Sequence, residues 1–259
     1  MSHKISSTIV ILVGILGLFA CLPEAFAQED RFKLPPLPPA EEYGNILISR
    51  NSIRNGVKPV FFSHWQHRMK YTCRVCHSEL EFNMKVNTTE ITELGNRKKR
   101  YCGACHNGKI AFRPNGNCEK CHTGDKSSGN SKFSVFDESP FPRTSFGNNI
   151  DWVESMKRGL ISPATYLKTK SEDMPFDKTL QLTTDWNFVT PSVFSHKVHT
   201  QWLDCSNCHP DIFNIKKKST ENFSMAYILR GAFCGACHLK VAFPIHDCQR
   251  CHLEKKEKP

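Results

Sequence analysis

Little in this chain of 259 residues is suited to an ordinary apolar core. Only 39% of its residues are hydrophobic, and its aromatics are 18 phenylalanines against 5 tyrosines and 4 tryptophans. A small domain of that make-up needs bulk or staples from elsewhere, so the expectation is much loop and little regular structure. Long apolar runs are scarce as well. Ile9 to Leu22 form a run of 14 residues, short for a bilayer span, and no transmembrane segment is expected in the mature chain. Charge is not clustered either: the formal +10 is scattered in singles and pairs with no recognisable binding module, which argues against nucleic acid as a partner.

The N-terminus has the parts of a secretory signal. Lys4 supplies a positive start, Ile9 to Leu22 the apolar stretch, and Ala25-Phe26-Ala27 a small-x-small cleavage pattern. Cleavage after Ala27 leaves 12 of the 13 cysteines and implies a periplasmic location. A competing reading takes Leu18-Phe19-Ala20-Cys21 as a lipobox and Cys21 as a lipid anchor, which would give a lipoprotein or outer-surface form.

The 12 remaining cysteines all fall in one pattern, Cys-x-x-Cys-His. Its copies are Cys73/Cys76/His77, Cys102/Cys105/His106, Cys118/Cys121/His122, Cys205/Cys208/His209, Cys234/Cys237/His238 and Cys248/Cys251/His252. Zinc sites and thiol redox pairs use Cys-x-x-Cys without needing histidine next. A disulfide framework has no reason to repeat one spacing six times. Six histidines so placed by chance would have odds on the order of 10⁻⁸, whereas covalent attachment of haem c requires all three residues. Both thiols reach the porphyrin and the imidazole reaches the iron from one helical turn. Six haem c groups are therefore expected, with His77, His106, His122, His209, His238 and His252 as proximal iron ligands. Their propionates would offset much of the positive charge.

The chain repeats itself. Phe62, His64, His67 and the first two motifs recur 132 residues later as Phe194, His196, His199 and the fourth and fifth motifs, and the third and sixth motifs drift by two residues. A weaker echo relates Tyr43-Gly44-Asn45, Ser52 and Gly56 to Phe146-Gly147-Asn148, Ser155 and Gly159 at an offset of 103. The organisation predicted is a signal over 1–27, a proline-rich lead-in over 28–42, a trihaem domain over 43–122 and a linker over 123–142. A pre-segment and inserted loop over 143–191, a second trihaem domain over 192–252 and a basic tail over 253–259 follow. Trp186, near the end of the inserted loop, is expected to pack on haem or on the other unit.

Setting aside His3 and the proximal six, five histidines are left: His64, His67, His196, His199 and His246. Two His-x-x-His pairs at equivalent places beside haem motifs read as four distal ligands. Phe-x-His-x-x-His followed closely by three haem motifs resembles the class III multihaem cytochromes of the c3/c7 type, over residues 60–122 and 192–252. The resemblance implies a haem-cored, mostly irregular fold with short α-helices, arranged as two tandem c7-like trihaem domains. It also implies that His64 completes the haem on Cys73/Cys76 and His67 the one on Cys102/Cys105. His196 and His199 would do the same on Cys205/Cys208 and Cys234/Cys237.

The chain departs from that family at the third haem of each unit, where no further histidine precedes the second motif. Met84, Met225 and His246 are the candidates there. Axial positions filled on both faces point to electron transfer, as an exported carrier or conduit in anaerobic, metal or sulfur respiration, with other redox proteins of the cell envelope as partners. Two rival readings stay open. One is a multihaem reductase with an open iron in the first unit; the other is a subunit of an envelope or filamentous conduit.

Overall fold

Regular structure is sparse, as the low hydrophobic content leads one to expect. The computed structural model describes residues 33–167, 176–183, 189–215 and 223–253. The signal reading, Trp186 and almost all of the basic tail lie outside the described residues. The helices are α1 (Arg50–Arg54), α2 (His64–Arg68), α3 (Glu93–Arg97), α4 (Cys118–Cys121), α5 (Asn130–Phe133), α6 (Trp152–Lys157), α7 (His196–Thr200), α8 (Met225–Leu229) and α9 (Gly235–His238). Among the described residues none exceeds six residues, so each must be held by tertiary contacts and not by its own propensity.

Two antiparallel hairpins recur. β1 (Asn45–Ile48) pairs with β2 (Val60–Ser63), with Asn45 opposite Ser63. β3 (Thr179–Leu182) pairs with β4 (Ser192–Ser195), with Thr179 opposite Ser195. The second pairing changes how 143–191 is understood. By sequence, the counterpart of β1 begins at Asn148, within the echo that starts at Phe146. By hydrogen bonding, that counterpart is β3, inside the stretch read as an inserted loop. The echo keeps its local features, with Gly147 and Gly159 at positive φ like Gly44 and Gly56 and Ser155 buried like Ser52. It has given up the strand role and packs elsewhere.

That packing makes a core the composition does not advertise. Trp65, Phe136, Ile150, Trp152, Ile161 and Trp202 form one buried cluster, with Phe136 edge-on to Trp65 at 5.5 Å, Phe141 at 5.4 Å and Trp152 at 5.8 Å. Residues 123–142, read as a linker, are folded into it: their Ser, Gly and Lys hide a Phe133-Phe136-Phe141 stripe that supplies apolar rings. The first repeat, the connecting stretch, the echo and the second repeat all contribute. They accordingly fall within one compact unit, Pro36–Pro259; in the other unit, Met1–Pro35, the described residues 33–35 are irregular.

Further bonds join the repeats. Thr72 donates to the Ala164 carbonyl at 3.0 Å, Ala164 to Lys70 at 2.8 Å, and the Arg74 amide to Trp202 at 2.9 Å. Asn148, buried, donates its side chain to the carbonyls of Ala40 and Tyr43 at 2.7 and 2.8 Å.

Candidate functional site

One glycine pair shows how tightly the motif turns are seated. Gly103 and Gly235 follow the first cysteine of the second and fifth motifs. A Cβ on either would lie 1.9 Å from a carbonyl oxygen, of Asn96 and Ile228 respectively. Those two partners are themselves 132 residues apart, so the repeat preserves a backbone-on-backbone contact that only glycine permits.

The histidines share one hydrogen-bond scheme. In all six motifs Nδ1 contacts a backbone carbonyl: His77 to Phe82, His106 to Phe112, His122 to Lys58, His209 to Phe213, His238 to Phe243 and His252 to Thr190, at 2.7–3.2 Å. The four other repeated histidines do the same: His64 to Gly44, His67 to Ser63, His196 to Lys178 and His199 to Ser195, at 2.7–2.8 Å. A carbonyl can only accept, so Nδ1 carries the proton and Nε2 presents its lone pair. That is the tautomer and orientation a metal-bound imidazole needs. His246 falls outside this set.

Phenylalanine positions the pair. Phe62 stands edge-on to His64 at 4.8 Å and stacks on His67 at 4.3 Å; Phe194 repeats both contacts on His196 and His199 at 4.8 and 4.3 Å. Phe112 and Phe243 pack edge-on to His106 and His238 at 4.5 and 4.4 Å, and their carbonyls hold the same rings. The abundance of phenylalanine in the composition has this use. The carbonyl partners themselves carried no signal in the sequence, because any residue has one.

The spacing of the rings fits haem. The ring centres of His67 and His106 are 6.4 Å apart, and those of His199 and His238 6.2 Å. Two imidazoles on opposite faces of one metal, each nitrogen about 2 Å from it, have ring centres roughly 6.3 Å apart. His64 lies within electrostatic reach of Arg68, His77 and His67. Burial holds these imidazoles neutral, with His64 pushed down to about 3 and His238 to about 4.

The cysteines suit thioether attachment better than thiolate chemistry. All 12 are unpaired, which removes the disulfide reading among the described residues. Burial drives Cys76 and Cys237 up to about 12, and Cys102 and Cys234 up to about 11, against the lowered values of reactive thiols. Among the described residues no cluster of three or more His, Cys, Asp or Glu is arranged to hold a metal ion by itself. Met84 lies partly buried in the loop after the first motif, Met225 opens α8, and His246 sits in the turn before the sixth motif.

With this geometry in view, the family is plain. The family model for cytochrome c7 and related cytochrome c matches residues 60–123 and 192–253, and these two stretches hold all six motifs. The chain belongs to that family and carries two tandem c7-type regions with six haem c groups; it is an electron-transfer cytochrome. Among solved structures, a c7-type three-heme cytochrome domain is 36% identical over 33% of this chain and 94% of its own, with a TM-score of 0.27. The C-terminal hexaheme fragment of GSU1996 is 26% identical over 86% of this chain and 100% of its own, with a TM-score of 0.28. The dodecaheme cytochrome c GSU1996 is 27% identical over 83% and 76%, again at 0.28. With superposition scores this low, the family assignment rests on sequence. A search of curated proteins finds no match.

Proposed function

We propose that this chain is an exported hexahaem electron carrier, with four of its six irons capped by histidine on both faces. The cysteines of the six motifs would form the thioether links, and the histidine that ends each motif would be the proximal ligand. His64, His67, His196 and His199 would be the distal ligands of the first, second, fourth and fifth haems. The observation that carries this reading is the shared carbonyl bond at Nδ1, since the four distal candidates are held as the six proximal ones are. Haem supplies a one-electron couple when bound. The polypeptide fixes the imidazoles, excludes water with phenylalanine and sets the spacing between neighbouring irons. An iron with both faces occupied has no position for substrate, which supports a carrier over an enzyme.

The third and sixth haems have no counterpart of these distal histidines, so their ligation differs from the other four; Met84, Met225 and His246 stay the candidates. Export agrees with the sequence features of residues 1–27, and among the described residues no helix is long and apolar enough to cross a membrane. Partners would be other redox proteins of the cell envelope.

The test uses protein from a host that matures c-type cytochromes. His64→Ala and His196→Ala are each expected to turn one haem from low to high spin while intact mass still counts six haems. Ferric spectra unchanged in both variants would overturn the ligand assignment. A native high-spin fraction that shifts with nitrite would overturn the carrier reading in favour of a reductase.

A further inference from the structure

Three of the carbonyls that hold proximal imidazoles belong to residues followed by proline. They are Lys58 before Pro59, Thr190 before Pro191 and Phe243 before Pro244, and they hold His122, His252 and His238 at 2.7, 2.7 and 2.8 Å. The other three proximal imidazoles, of His77, His106 and His209, meet carbonyls followed by Asn83, Arg113 and Asn214. None of the four distal candidates meets a carbonyl that precedes proline. Proline makes up 15 of the 259 residues, so composition alone would put it after fewer than one of these ten carbonyls, not three.

Two of the sites are repeat counterparts. Lys58 and Thr190 are 132 residues apart, while His122 and His252 are 130 apart, so the bond has survived the drift of the third motif. These carbonyls reach their imidazoles from 64 and 62 residues upstream, whereas Phe243 lies five residues after His238. The hairpin ladders stop at Val60 and Ser192, one residue after Pro59 and Pro191. Proline ends a ladder because it has no N–H to donate, and it restricts the residue before it to extended backbone. The carbonyl of that residue is thereby left to the imidazole in a fixed direction. Pro244 is fully buried against Gly147, where a Cβ would come within 3.1 Å of the proline Cδ. The Tyr43 hydroxyl fastens the same loop by donating to Ala242 at 2.7 Å.

Proline also changes the acceptor. Its amide nitrogen carries a third carbon in place of hydrogen and gives more electron density to the oxygen, which accepts more strongly than that of a secondary amide. A stronger acceptor at Nδ1 makes the imidazole a more basic ligand at Nε2. Such a ligand favours the ferric over the ferrous state, and hydrogen bonding beyond the ligands is one of the levers on a haem potential.

We infer that Pro59, Pro191 and Pro244 are positioning residues that lower the reduction potentials of the third, sixth and fifth haems. The inference rests on the function proposed above, through His122, His252 and His238 as iron ligands. It also makes the two halves unequal. The counterpart of Pro244 is Arg113, and the carbonyl before Arg113 holds His106 at the longer distance of 3.2 Å.

The alternative is that these prolines only stiffen the chain. Redox titration of the hexahaem protein, followed by NMR of the haem methyl signals, separates the two. Pro59→Ala, Pro191→Ala and Pro244→Ala should make the third, the sixth and the fifth haem respectively easier to reduce, each by about threefold in the reduction equilibrium, or roughly 28 mV at 59 mV per tenfold for one electron. The other five haems in each variant should keep their potentials. Potentials that do not move, that fall, or that shift in several haems at once overturn the inference. Thr190→Val changes the side chain and keeps the carbonyl, so the sixth haem should be unaffected; a shift as large as that of Pro191→Ala overturns it as well.

The unaltered protein gives a check that needs no variant to fold. His77, His209 and His238 belong to the first, fourth and fifth haems, which the ligand scheme caps with histidine on both faces, and of the three only His238 meets a carbonyl that precedes proline. In the ferrous protein its ring N–H signal should lie downfield of those of His77 and His209, although its contact is 2.8 Å against 2.7 Å for theirs. A signal at or upfield of those two overturns the proposal. Failure of the carrier reading shows separately, as missing haems in intact mass or as unchanged spectra in His64→Ala and His196→Ala.

Discussion

Helices α2 and α7 hold the same two histidines in the same way and live in different surroundings. In α2, His64-Trp65-Gln66-His67-Arg68, the tryptophan is 1% exposed, sits edge-on to Phe133 at 5.1 Å and donates to the Glu41 carbonyl at 3.1 Å. In α7, His196-Lys197-Val198-His199-Thr200, lysine takes the tryptophan position and forms a surface ion pair with Asp177 at 3.0 Å. The ligand face is nearly superimposable between them, down to the ring angles on Phe62 and Phe194. The outer face has diverged. This helix thus needs only its two histidines, their carbonyl partners and one phenylalanine, and the rest of it is open to other uses. The first unit has used it to build the joint with the second.

The comparison breaks first at Trp65. Trp65→Ala should cost about 3–5 kcal/mol by emptying a core site, whereas Lys197→Ala should stay within about 0.5 kcal/mol, as exposed ion pairs contribute little. Denaturant unfolding of the haem-loaded variants checks this, and equal losses would mean that the two helices are equivalent after all.

A second, smaller effect concerns access to iron. After His64→Ala and His196→Ala, added imidazole should restore the low-spin spectrum in both, with an association rate at least tenfold higher at the His196 position, because among the described residues no residue of α7 belongs to the buried aromatic cluster that holds Trp65 of α2. Similar rates, measured by stopped-flow absorbance, would show that the haems and not the cluster control entry.

The smallest effect lies in the echo segment, where Asp151 caps α6 through the Glu154 amide at 3.0 Å and pairs with Arg250 of the sixth motif at 2.7 Å. Burial alone would raise the Asp151 pKa; the Glu154 amide and Arg250 overcome that and hold it below the ordinary carboxylate value. A folded-state pKa below the unfolded one contributes stability above about pH 4, and the contribution is lost as pH falls through the folded value. Asp151→Asn should therefore be less stable at pH 7, and the gap should close in acid. A gap that persists at low pH would mean that the cap, and not the charge, matters.

Much of the site could be read in the chain because haem attachment is local. Two cysteines and a histidine within five residues suffice, and six copies, four of them at one offset of 132, declare both the cofactor and the repeat. The His-x-x-His pairs were visible for the same reason. The carbonyls of Gly44 and Lys178, which hold equivalent histidines, were not, since one lies 20 residues before its partner and the other 18. The echo at Asn148 resembles the stretch around β1 in sequence and keeps its turn and buried serine, while pairing with β4 falls to Thr179–Leu182. Residues 123–142 looked like a linker because three phenylalanines among serines and lysines announce nothing until something packs on them.

By itself, the order of residues determined six attachment points, a tandem trihaem plan and the identity of four paired histidines, because each depends on groups close together along the chain. Only the tertiary structure decided that the halves form one unit around a shared aromatic cluster, and that Arg68 of the first half reaches the Val241 carbonyl of the second. Those relations join residues that the chain keeps as many as 173 positions apart, and no local pattern encodes where folding will bring them.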